Sequence, residues 1–237
     1  MAERLLERSN IVTFVALGAL SLLGWAWLMT GAGMAGMTAD FFVLAGMWTA
    51  MMVAMMTPSV APTVLLYARA EQLKDFAARP PTVAFVGGYL LVWVGFALVA
   101  AALQLALQHA AIASPMTMAL TSRRAASAVM VAIGLYQLLP IKDACLGRCR
   151  SPAQFLSRHY RPGPRGALRL GALHGAYCVA CCWLLMALLF VGGVMNLLWI
   201  AGLTLLVAAE KLLPRGQVIA HVAGVVLIGW GIGRLLV

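Results

Sequence analysis

The sequence predicts an all-α, polytopic integral membrane bundle of about seven transmembrane helices with a cytoplasmic N-terminus. Three observations predict it. Of the 237 residues, 63% are apolar and only 10% are charged, where a soluble domain carries roughly a quarter charged residues, and the mean hydropathy is +0.95. The apolar residues gather in runs near the ~20 that a helix needs to cross the hydrocarbon core. The basic residues are one-sided: with the N-terminus inside, 14 of the 17 Lys and Arg fall in cytoplasmic segments, leaving Arg123, Arg124 and Arg234 outside. This composition excludes a cytosolic enzyme and a disordered chain, and the five cysteines are too few for a disulfide scaffold. The net charge of +10 reads as a topology signal and a contact with anionic lipid, not as nucleic-acid binding.

The expected spans follow in order as residues 11–30, 41–67, 82–108, 125–140, 168–191, 194–213 and 218–236, forming a single membrane domain over 1–237. Basic residues precede the first run, which ends in Trp25-Ala-Trp27, an interfacial belt pattern, so it is expected to be a retained signal anchor and not a cleaved leader. Asp40 is placed to cap the second run at its N-terminus. The second and third runs are long enough to tilt or to extend past the bilayer. Pro58 is expected to break the second helix and free carbonyls. The fourth run is short, and only Gly192-Gly193 separates the fifth from the sixth. Between the fourth and fifth lies a cytoplasmic basic loop, 141–167, whose Pro152, Pro162 and Pro164 oppose a long helix. Gly229, Gly231 and Gly233 in the last run suggest close helix contact.

Sulfur is clustered along this chain. Cys145 and Cys149 follow the fourth run, on the cytoplasmic side, and Cys178, Cys181 and Cys182 sit near the middle of the fifth. At 100° per residue His174, Cys178 and Cys181 share an arc of about 60°, with Cys182 beside it. Imidazole and thiolates on one helix face form a ligand set for Cu(I), Zn²⁺ or another soft metal. Vicinal Cys181 and Cys182 do not easily face one ion together, and small apolar packing is the alternative use of all three. In the second run Met47, Met51 and Met55 form one stripe and Met52 and Met56 a second. Thioethers favour Cu(I) over hard ions, although methionine also fills irregular helix interfaces. Met34 and Met37 extend the sulfur to the first external loop. Glu210-Lys211 is expected to snorkel at the inner interface, with Glu210 facing the bundle as the alternative, and His221 carries the same ambiguity.

Trp48, Met55-Met56-Thr57-Pro58, Gly134 through Lys142, Cys145-Leu-Gly-Arg-Cys149-Arg-Ser-Pro152, Gly175 through Met186, Gly193-Val-Met-Asn196 and Glu210-Lys211 carry a family resemblance. Together they resemble a bacterial family described as predicted metal-binding integral membrane proteins, whose members are sometimes labelled copper chaperones. The resemblance spans the second helix to the sixth and implies copper handling in a bacterial inner (plasma) membrane. The Met-x-x-x-Met spacing is also similar to that of eukaryotic high-affinity copper transporters, over one short motif.

The leading expectation is therefore a non-enzymatic Cu(I) transporter or chaperone. His174, Cys178, Cys181, Met51 and Met55 would hold the ion, and Cys145 and Cys149 would exchange it on the cytoplasmic face. Its partners would be the lipid bilayer, a metallochaperone or a membrane oxidase, and a homo-oligomer is compatible. A thiol oxidoreductase built on Cys178-x-x-Cys181 and a structural assembly subunit are the alternatives. A tight bend of the basic loop would bring Cys145 back beside Cys178 as a single closed site, structural or sensory in place of a relay.

Overall fold

Residues 2–30, 40–74 and 81–236 are described by a computed structural model, and every regular element among them is a helix. In chain order these are α1 Ala2–Met29, α2 Phe41–Lys74, α3 Thr82–His109, α4 Arg123–Gln137, α5 Pro140–Arg150, α6 Pro152–His159, α7 Gly163–Ala187, α8 Leu189–Gly192, α9 Leu197–Leu212 and α10 Gly216–Leu236. Among the described residues five stretches, in α1, α2, α3, α7–α8 and α10, are long and apolar enough to cross a membrane. A sixth is counted if α4 and α5, bent by 65°, form one broken span. The expected run 194–213 yields only the 16 residues of α9, a rise of about 24 Å against a core of about 30 Å. Asn196 starts α9 by accepting from the Trp199 N–H at 3.2 Å. Leu213 ends it in extended backbone ahead of Pro214.

Local chemistry explains most boundaries. Asp40 caps α2 as expected, its Oδ1 accepting from the Phe42 N–H at 2.8 Å. Pro58 does not break α2, which runs through both Pro58 and Pro62. The carbonyl that a Pro58 N–H would have met belongs to Ala54, and Ser21 of α1 donates its hydroxyl there at 2.9 Å. The lost bond is thus replaced from the neighbouring helix. The basic segment 141–167 is not a loop either. Pro152 and Pro164 occupy first-turn positions of α6 and α7, where a missing N–H costs nothing, so they start helices instead of preventing them.

The helices associate as α1 on α2, α2 on α3, α3 on α7 and α4 on α10. Small residues allow the approach. A side chain at Gly88 or Gly171 would strike the backbone of the facing helix, at the Leu168 and Phe85 carbonyls respectively. On α10 the close approach is made by Gly231 and Gly224, while Gly229 and Gly233 face open space. Gly193, with φ at +84°, makes the turn after α8.

Candidate metal centre

The sulfur-rich face of α7 points into the core. His174, Cys178, Cys181 and Cys182 are all at most 3% exposed. Within α7 the Cys181 and Cys182 thiols donate back to the Cys178 carbonyl at 3.1 and 2.9 Å. The bend after α4 then folds α5 against α7, and Cys149 arrives with its Sγ 3.8 Å from that of Cys181. The bend expected within the basic loop, to set Cys145 beside Cys178, is instead found between α4 and α5, ahead of that segment, and the thiols that meet are Cys149 and Cys181. Cys145, one turn earlier on α5, is half-buried against the same core.

Cys178 has different company. Its Sγ lies 3.1 Å from the Tyr89 hydroxyl of α3 and 2.8 Å from the Lys211 ammonium of α9. The same ammonium lies 3.6 Å from Cys182 Sγ and 4.0 Å from Met56 Sδ. Lys211 does not snorkel: it is buried and stands amid the sulfurs where a soft cation would stand.

Glu210 faces the bundle too, 2% exposed, and turns away from Lys211. Its carboxylate accepts from Lys142 Nζ at 2.7 Å and from Gln137 Nε2 at 2.9 Å. Gln137 ends α4 and Lys142 lies in the first turn of α5. This buried ion pair therefore clamps the two sides of the bend that presents Cys149. Arg150, at the end of α5, adds a second tie by donating to the Leu213 and Pro214 carbonyls.

The remaining candidates divide. His174 does not join the sulfur contacts; its ring lies 5.0 to 6.3 Å from those of Phe155, Tyr89 and Phe85. Its Nε2 is 3.5 Å from Thr63 Oγ1, and its Nδ1 is buried without a hydrogen-bond partner. Met51, Met52, Met55 and Met56 are buried to within 1%, and only Met56 touches the Lys211 cluster. His221 pairs with Asp143 at 3.2 Å. Met34 and Met37 lie outside the described residues. Among the described residues, no three His, Cys, Asp or Glu side chains converge in a group that could hold a metal ion. The donors that do converge are a thiol pair, a thioether and an ammonium.

Sequence reasoning missed Lys142, Gln137 and Tyr89, and misplaced Lys211. The available signal was the rule that a charge inside a membrane run needs a named partner, which would have paired Glu210 with a cation from another helix.

No curated protein and no solved structure matches this chain. A family model described as copper chaperone matches residues 45–233, a stretch that includes every cysteine, the α2 methionines, Glu210 and Lys211. The match covers well over half of the 237 residues, and the chain belongs to the copper chaperone family PpoB2.

Proposed function

We propose that this protein carries Cu(I) as cargo within a bacterial inner membrane and hands it to a membrane enzyme such as an oxidase. Cys149 and Cys181 are the receiving pair. The observation that carries this is their 3.8 Å separation across two helices. At a metal–thiolate distance of about 2.3 Å, one ion between them would see the two sulfurs about 110° apart. That angle suits a three- or four-coordinate soft ion and leaves a further side open. Family membership supports copper as the cargo, and thiolates select it over hard ions.

Lys211 sets the charge balance of the neighbouring sulfurs. Its ammonium engages Cys178, Cys182 and Met56, and Cu(I) held by two thiolates is a complex of net charge −1, so a buried cation beside the cluster stabilises the loaded site. Lys211→Leu is therefore expected to speed Cu(I) loss to a competing chelator by about tenfold. Unchanged or slower release would remove the lysine from this role.

The direct test is metal content by plasma mass spectrometry after anaerobic Cu(I) loading of the detergent-purified protein. Cys149→Ser and Cys181→Ser should each lower bound copper by about one ion per chain, since one remaining thiolate holds a soft ion poorly. Copper retained in full by the double variant would sink the proposal. The same sulfur contact favours one other reading, thiol redox exchange, in which a reversible Cys149–Cys181 disulfide would be found in the copper-free protein.

A further inference from the structure

At the opposite end of the bundle from the basic helices, a small, partly open cavity of about 10 Å³ is lined by Trp27 of α1, Met47 and Met51 of α2, and Met195 of the α8–α9 turn. The other lining side chains are aliphatic. A space of this size is at the lower limit for one water molecule. Water would find few of the two to four polar partners it needs, because the indole N–H of Trp27 is the one polar side-chain group among the lining residues. A soft monovalent cation, in contrast, would meet thioether side chains from two segments of the chain beside an indole. Met47 and Met51 are buried, while Met195 and Trp27 are half-exposed, so the cavity opens outward through them.

We propose that Trp27, Met47, Met51 and Met195 form a second site for a soft monovalent ion, distinct from the cysteine centre. It is the outer station from which cargo reaches the thiols. This rests on copper being the cargo. Buried methionines lie between the stations: Met51, Met52, Met55 and Met56 are all buried on α2, and Met56 Sδ is 4.0 Å from the Lys211 ammonium. Along α2 the rise from Met51 to Met56 is about 7.5 Å at 1.5 Å per residue.

Silver(I), which is soft and does not cycle between oxidation states under these conditions, is the probe, counted by plasma mass spectrometry on the full chain. The unmodified protein should bind about two silver ions and the Cys149→Ser/Cys181→Ser variant about one. Adding Met47→Leu and Met195→Leu to that variant should remove the last one, because leucine keeps the volume and the apolar character while deleting the donor. Met130→Leu, a buried methionine of α4 that faces Gly231 of α10, is the control and should change nothing. Silver that survives Met47→Leu/Met195→Leu, or that is absent once the cysteines are gone, overturns the second site and leaves the cysteine proposal standing. Loss on Met130→Leu also overturns it. No silver on any form, the unmodified protein included, overturns both.

Discussion

Glu210→Ala is expected to destabilise the protein by about 3–5 kcal/mol, the range for removing one partner of a buried ion pair. The loss comes mainly from what stays behind. Lys142 is fully buried and its ammonium would have no counter-charge in a setting where hydration is absent. Gln137 would lose its acceptor as well. Because those two residues flank the 65° bend, the damage is also functional: α5 would be freed from α9, and Cys149 would no longer be held 3.8 Å from Cys181. Thermal unfolding in detergent and copper content should therefore fall together. Two further variants separate charge from shape. Glu210→Gln keeps an acceptor for Lys142 and should cost less. Lys142→Met/Glu210→Met removes both charges and should recover most of the stability, since an apolar pair often replaces a buried ion pair without loss. A double variant as unstable as Glu210→Ala would show that the pair is not the clamp described.

Gly171→Val should separate α3 from α7, with an overpacking cost of at least about 1–3 kcal/mol. A Cβ at position 171 would overlap the Phe85 carbonyl, and one at position 88 the Leu168 carbonyl. The obstacle at both positions is backbone, which cannot rotate aside as a side chain would. Membrane helices depend on such close approach, because lipid offers little hydrophobic incentive for association. Gly95→Ala, on the same α3 but facing open space, should be tolerated. The separation would also carry Tyr89 away from Cys178, now 3.1 Å distant. Lowered copper retention alongside lowered thermal stability is thus the expected pattern. Equal tolerance at positions 95 and 171 would contradict the packing described.

What could be read from the chain alone was local. Run length and low charge gave helices; Asp40 gave a cap; Gly192-Gly193 gave a turn; and the spacing of His174, Cys178 and Cys181 gave one buried face on α7. Proline was misjudged at Pro58 and Pro164, because its effect depends on whether a neighbouring donor or a first-turn position excuses the missing N–H, whereas Pro152 opposes a long helix as expected, α5 and α6 staying short on either side of Ser151. Glycine was misjudged at Gly229 and Gly233, because a small residue matters only where another helix faces it.

Hydrophobic run length, sulfur content and helix-face periodicity are properties of neighbouring residues, so the sequence by itself determined an all-helical fold rich in soft donors. The tertiary structure alone decided which donors meet. Cys149 and Cys181 are 32 residues apart, and Lys142 and Glu210 are 68 apart. Each encounter is set by where the bend after α4 places α5 against α7 and α9. The physical reason is the same for both. In a medium without water a buried charge must take its partner from the protein, and where that partner is on another helix, which helix supplies it is a matter of packing that no local pattern encodes.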